Sequence, residues 1–358
     1  MVLNRPMLSR GFRRLLAGRY IDLRDLAQRQ FVLCPSETTT VAGAIYDAAS
    51  ISKVSQLSPW RRWEVESLLM NGGSIEHHAT IAHEIGEVEI VDAFMYSGAG
   101  KAQVGYGSER LFLSDHGPRR QFDHATLIAS RYGSQYFGNF LQDDIPLGLL
   151  AADDGSNPVS VVNRGYPHEA GYRRVLGVEA GTQVRRAHVK RLTMFTDFAQ
   201  NSLKEARYRI LRSNLRRSIV EAQGSRRAPR GIYIRRGRTG ELRLLENESE
   251  IEQYLLALDF RIIDAEAMTP EAIASAALDA RVVVSVEGSQ LAHGIYGAAD
   301  DAVFLVLQPP TRLSMVYKEF TDRMGMGFAF LVGDPVGQGF RVAPSDLGRM
   351  FDRLSKWW

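Results

Sequence analysis

The sequence predicts an α/β protein of two domains, the second built on a mostly parallel sheet. Three observations carry this expectation. The chain has 358 residues, more than one hydrophobic core usually organises. From Gly231 onward, short apolar runs alternate with helical stretches of about ten residues, the order that makes right-handed βαβ units. Between the halves, Gly224-Ser-Arg-Arg-Ala-Pro-Arg-Gly231 collects residues that break regular structure.

Residues 1–30 form a basic segment, and residues 31–223 form an N-terminal lobe of mixed strands and helices. Glu87-Val-Glu-Ile-Val-Asp-Ala-Phe-Met-Tyr96 has the period-two pattern of half-buried strands. In Tyr136-Phe-Gly-Asn-Phe-Leu-Gln-Asp-Asp-Ile-Pro146, Phe137, Phe140, Leu141, Asp144 and Ile145 recur at helical spacing, and Pro146 should kink or end that helix. A strand at 158–162, a helix at 168–176 and a strand at 183–192 follow. Residues 196–223 read as one long helix opening at Thr196 or Asp197, with Phe198, Leu203, Ala206, Ile210, Leu211, Leu215 and Ile219 as its apolar stripe.

The C-terminal lobe, residues 224–344, is the most regular part. Strands are expected at 231–235, 260–263, 281–285, 302–307 and 328–332, with helices at 247–258, 269–279, 289–297 and 313–324 between them. The strands are continuous apolar runs, which suits a sheet covered on both faces. A last helix, 345–358, is expected to be capped by Ser345 and to pack on the N-terminal lobe.

Composition narrows the function classes. An apolar share of 45%, with 32 Gly and 13 Pro, excludes disordered and collagenous chains. The lone Cys34 excludes an internal disulfide framework and reads as a packing residue. Arginines interrupt every apolar stretch near the start, so a soluble cytoplasmic protein is expected. The formal charge of +3 hides an uneven distribution. Residues 1–30 carry seven Arg against two acids, and residues 185–243 carry 17 Lys+Arg against four acids.

An open parallel sheet binds its ligands beyond the carboxyl ends of its strands. Two loops are expected there. Arg235-Arg-Gly-Arg-Thr-Gly240 reads either as a phosphate holder, through bidentate guanidinium bonds, or as a solvated basic turn. In Val286-Glu-Gly-Ser-Gln-Leu-Ala-His293, Gly288 suits a tight turn and Ser289 can cap a helix whose amides favour an anion. Glu287 can accept ribose hydroxyls, and His293 follows Ser289 by about one turn; an ordinary strand-to-helix junction is the alternative. Of the adjacent acids Asp143 and Asp144, one can serve as a general base, or both can be helix-surface acids. Glu76-His77-His78-Ala-Thr-Ile-Ala-His83-Glu84 lacks the spacing of the HExxH metal motif. Tyr166 and Tyr172, beside Arg164, Arg173 and Arg174, form either an acceptor-binding surface or ordinary surface.

Several of these runs occur together in one order. Gly231-Ile-Tyr-Ile-Arg-Arg236, Arg243-Leu-Leu-Glu-Asn-Glu248, Phe260-Arg-Ile-Ile263, Met268-Thr-Pro-Glu271 and the junction from Ala280 to His293 resemble the C-terminal half of glycosyltransferase family 61 over residues 230–333. That family includes bacterial capsular and lipopolysaccharide glycosyltransferases. The 136–146 run is similar to an upstream family element, with Asn139 where a His is usual. An amide does not accept a proton at neutral pH, so Asp143 or Asp144 is the nearest substitute.

The resemblance implies a GT-B-like fold, two Rossmann-like lobes facing a cleft. It implies a nucleotide-sugar donor, a glycan or lipid-linked saccharide acceptor, inversion at the sugar, and neither metal nor other cofactor, in cell-surface polysaccharide synthesis. Donor binding then falls to Arg235, Arg236, Arg243, Asn247, Glu287, Gly288, Ser289, Gln290 and His293, and catalysis to Asp143, Asp144 and the Asn139 position. A catalytically silent relative that binds a glycan or a partner is the alternative. Nucleic acid is not an expected partner, because a solvated face or an interdomain contact is the commoner use of such an arginine-rich helix. Residues 1–20, which alternate arginines with large apolar side chains, read either as a peripheral contact with the anionic inner face of a membrane or as a plain surface helix.

Overall fold

The computed structural model describes residues 2–113, 118–224, 227–237 and 243–357. The chain forms two compact units. One comprises Met1–Ser36 with His78–Arg207, and the other Glu37–His77 with Tyr208–Trp358. The division therefore lies within helix Ser202–Gln223 and not at the break after residue 223. That helix also starts later than Thr196. Residues Arg186–Thr196 are a strand whose last residue still pairs with Ile81, and Asn201 Oδ1 accepts from Lys204 N at the helix start. Phe198 therefore lies outside the apolar stripe and is exposed.

The first unit holds an eight-stranded sheet among the described residues. Its centre is a long antiparallel pair, Thr80–Val91 with Arg186–Thr196, whose inward Ile85, Val88, Ile90, Val189 and Leu192 form the core. On one side Arg120–Leu127, Asn157–Ser160 and Thr182–Gln183 add in parallel; on the other, Phe94–Ser97 and Gly100–Gln103 add as hairpins. The Rossmann-like lobe that the resemblance implies is present only as the parallel side. Within its crossover, residues 140–144 form a π-turn in which Ile145 N donates to Phe140 O. Pro146 does not end the helical run, which continues through Ile145–Asp154; the α-helical ladder is instead interrupted by the π-turn just before it.

The second unit has five parallel strands among the described residues: β1 (Gly231–Ile234), β2 (Phe260–Ile263), β3 (Val282–Val286), β4 (Val303–Gln308) and β5 (Gly327–Val332). Their spatial order is β2-β1-β3-β4-β5, the doubly wound order in which chain direction across the sheet reverses between β1 and β3. Helices α1 (Glu248–Ala257), α2 (Pro270–Ala277), α3 (Val316–Met324) and α4 (Pro344–Arg353) accompany it. The chain is thus a mixed α/β protein with a large, mostly parallel sheet.

The last helix departs from expectation in its cap and its main partner. Leu347, Met350 and Phe351 of α4 share the core of Tyr233, Phe260 and Val284, with Phe351 stacked on Tyr254, and its contact with residues 31–223 is to the 37–77 segment, where Arg353 donates to Tyr46 O at 2.8 Å. Ser345 lies inside α4, behind Pro344, and Ala343 holds the cap position without a side-chain bond.

The 37–77 excursion belongs to this sheet. Ile45 bridges Ala329 of β5, and Lys318 on α3 donates to Ala42 O at 2.6 Å. Fully buried Glu66 pairs with Arg61 and accepts from Met315 N at 2.9 Å. Removing Glu66 alone leaves the nearly buried Arg61 guanidinium with the partly exposed Glu319, 2.8 Å away, and leaves Met315 N without its acceptor. Glu66→Leu is expected to lose about 3–5 kcal/mol in urea unfolding, and Arg61→Leu/Glu66→Leu distinctly less, because the double change leaves no charge fully buried. Equal losses in the two variants would contradict this.

Candidate functional site

The reversal between β1 and β3 places two strand ends beside each other. Ser285 Oγ, on β3, donates to Ile234 O of β1 at 2.6 Å, and Gln290 Nε2 donates to Ser285 Oγ at 3.0 Å and to Val286 O. This staple fixes the loop after β3. Glu287 follows the strand, and its N–H still bonds Leu307 O of β4.

Gly288 then turns the chain at φ 150°, which favours glycine. A Cβ there would lie 2.5 Å from Gln290 Oε1, 2.9 Å from Arg243 Nη1 and 3.1 Å from Arg236 Nε. The backbone is bare where two guanidiniums converge on it. Residues Ser289–Gly294 form a short 3-10 turn rather than the expected α-helix, and no side chain caps it. The α-helical amides expected to favour an anion are accordingly not formed there.

Glu287 is nearly buried, with its Oε2 2.8 Å from Arg243 Nε and 4.0 Å from Arg312 Nε. Burial, and the neighbouring positive charges of Arg243 and Arg312, lower the proton affinity of Arg236, which Glu287 and Tyr317 partly offset. Three guanidiniums thus face one carboxylate among the described residues. Burial pushes the Tyr317 phenol well up, and its hydroxyl donates to Ser289 O at 3.4 Å. Arg312 also lies 4.5 Å from the ring centre of Trp60, which is half exposed. The result is a partly dry cluster of guanidiniums at a strand-end switch point, with an aromatic ring at its rim. Guanidiniums so placed are the groups that recognise phosphate oxygens.

The first unit holds a second cluster. Asp143 accepts from the buried Lys204 Nζ at 2.6 Å and from Asn139 Nδ2 at 2.9 Å. Asp144 turns the other way, accepting from Ser130 N at 2.9 Å, and a Cβ on Gly133 would collide with its carboxyl. Burial, reinforced by the charge of Asp143, raises its proton affinity well above that of an ordinary carboxyl. Both acids are buried, so neither is a helix-surface acid.

The profile of the family described as Glycosyltransferase 61 matches residues 59–312, more than half of the chain. The chain belongs to glycosyltransferase family 61. A sugar donor and an acceptor follow from that membership. No curated protein matches the chain. The matched span opens one residue before Trp60 and ends on Arg312.

Of the residues expected to bind a donor in this family 61 chain, Arg236, Arg243, Glu287, Gly288, Ser289 and Gln290 come together. His293 is buried in the same 3-10 turn. Two others are engaged elsewhere. Arg235 is held by Glu252 of α1 at 2.8 Å and by Asp264 at 3.0 Å. Asn247 ties the start of α1 to Val342, accepting from its N at 3.2 Å and donating to its O at 2.8 Å. Arg238, Thr239 and Gly240 lie outside the described residues.

Arg312, Tyr317 and Trp60 escaped the sequence reading. Arg312 lies four residues after β4, so applying the strand-end rule to one more strand would have found it. The histidine run holds structural bonds: His77 Nε2 lies 2.8 Å from Thr39 Oγ1, and His83 Nε2 lies 3.0 Å from Thr196 Oγ1. Tyr172 and Arg173 are core residues, packed with Phe137 and Phe140, so the expected tyrosine–arginine surface is not formed.

The raised proton affinity of Asp144 has a signed consequence. The folded chain holds this proton more tightly than the unfolded chain does. The protonated carboxyl therefore supports stability at pH below the ordinary value, and that support fades as pH rises through the folded value. In urea unfolding from pH 4 to pH 8, Asp144→Asn should gain steadily on the parent as pH rises. A constant difference across the range would contradict the assignment.

Proposed function

We propose that the chain transfers a sugar from a nucleoside-diphosphate donor to a hydroxyl of a glycan or lipid-linked saccharide, with inversion, in cell-surface polysaccharide synthesis. The carrying observation is the cluster at the β1/β3 switch point, where Arg236, Arg243 and Arg312 gather around Glu287 and two of them close on Gly288. As the glycosidic bond breaks, negative charge grows on the departing diphosphate. Guanidiniums already fixed around that position stabilise it without reorganising, which is the task a divalent cation performs in other transferases. Glu287 orients the arginines, its Oε2 lying 2.8 Å from Arg243 Nε. Gly288, having no Cβ, lets the Arg236 and Arg243 guanidiniums draw together over the main chain.

In this proposal the GT-B division of labour holds, the C-terminal unit binding the donor and the N-terminal unit serving the acceptor. Asp144 takes the acceptor proton. Burial raises its proton affinity, which favours its acceptance of a proton. Asp143 positions that segment through Lys204.

The experiment is calorimetry with UDP and GDP. Arg236→Ala or Arg243→Ala should weaken diphosphate binding about ten- to a hundredfold. Arg235→Ala, which removes a guanidinium held by Glu252 and Asp264, should change it little. The proposal fails if Arg235→Ala is the damaging change. A panel of nucleotide-sugars then separates an active transferase from a silent one by donor turnover.

A further inference from the structure

Helix Arg5–Ala17 packs on the first unit with an unusual face inward. Asn4 caps it, Met7 N bonding Asn4 Oδ1 at 3.2 Å. Met7 packs against Val91, Phe94, Tyr96 and Leu113, and the buried Arg10 donates to Ala99 O at 3.3 Å. The outward side carries Leu8, Phe12, Leu15 and Leu16, exposed by 45%, 66%, 81% and 76%. Their i, i+4, i+7, i+8 spacing forms one stripe of about 100°. The usual amphipathic arrangement is inverted. Beside the helix, Leu3 pairs with the exposed Phe112 in a short ladder, which extends the apolar surface.

Charge says what covers this stripe. Arg5, Arg13, Arg14 and Arg19 are exposed, and residues 1–21 contain no Asp or Glu. Two copies docking stripe to stripe would bring these arginines together, which is unfavourable. An anionic lipid surface satisfies both features, taking the apolar side chains into the headgroup boundary and pairing the guanidiniums with phosphates. The helix is 13 residues long, about 20 Å, too short for a hydrocarbon core of about 30 Å. No helix among the described residues is long and apolar enough to cross a membrane.

We infer that helix Arg5–Ala17 is a peripheral membrane-docking element, lying flat on an anionic bilayer with Leu8, Phe12, Leu15 and Leu16 inserted. If the proposed acceptor is lipid-linked, this docking brings the protein to it. The docking itself rests on the helix alone, and its test uses no activity.

The test is co-sedimentation of the full chain with vesicles of phosphatidylcholine, alone or mixed equally with phosphatidylglycerol. The parent should bind the anionic vesicles and not the neutral ones. Arg13→Gln/Arg14→Gln should weaken binding by on the order of 20-fold. Phe12→Asp/Leu15→Asp should abolish it, while both variants keep the parent's circular dichroism and nucleotide affinity. Absence of binding, equal binding to both vesicle types, or binding unaffected by either double change would overturn the inference. So would a concentration-dependent dimer in ultracentrifugation that Phe12→Asp/Leu15→Asp loses, because that would assign the stripe to a second copy.

Discussion

Glu287 stands at the end of a fully buried strand with its carboxylate on Arg243 and within range of Arg312. Among the described residues, this carboxylate is shared by a group of arginines whose surroundings are fixed. The Ser285–Gln290 staple fixes the loop, the ladder to Leu307 fixes Glu287, and the loop from Arg243 is tied to residue 340 by Phe340 N bonding Leu244 O. In the proposed function, such rigidity lets the arginines meet an anion without rearranging. It also explains why Gly288 must be glycine: a methyl there would fill the place where the guanidiniums converge.

The surrounding architecture serves to hold that cluster. Arg312 follows β4 and is flanked by the 37–77 excursion, whose Ser58 N bonds Leu313 O at 3.0 Å and whose Trp60 covers Arg312. The excursion is in turn anchored on α3 by Lys318 and Glu66, and α3 also carries Tyr317. A segment distant in sequence thus contributes to the rim. Part of the basic block between 185 and 243 is used inside the structure. Lys204 and Arg207 are buried on Asp143 and Asp197, and Arg212 holds Ile295 O, Ala298 O and Asp300. Those three charges are committed to the fold.

The parallel sheet of the second unit was legible because its strands are unbroken apolar runs with helical stretches between them, a pattern of local origin. The β3 junction was legible too, since a strand end followed by Gly is visible in sequence. What escaped depends on contacts distant along the chain. Nothing near Glu37 or His77 signals that this excursion joins β5. Arg235 and Arg236 are indistinguishable in sequence, yet alternation of side chains sends the first to Glu252 and Asp264 and the second to the cluster around Glu287. The 289–294 turn looked helical because its composition fits a helix; tight packing of Gly294 against Val283 accompanies the shorter 3-10 form.

The central claim is that the arginines gathered at the β1/β3 reversal hold a diphosphate. Crystals soaked with a nucleoside diphosphate test it most directly. The account predicts phosphate density within hydrogen-bonding distance of Arg236, Arg243 and Arg312, over Gly288. Density instead in the basic pocket of about 250 Å³ lined by Arg209, Arg212 and Arg216, with none at the Glu287 cluster, would contradict it.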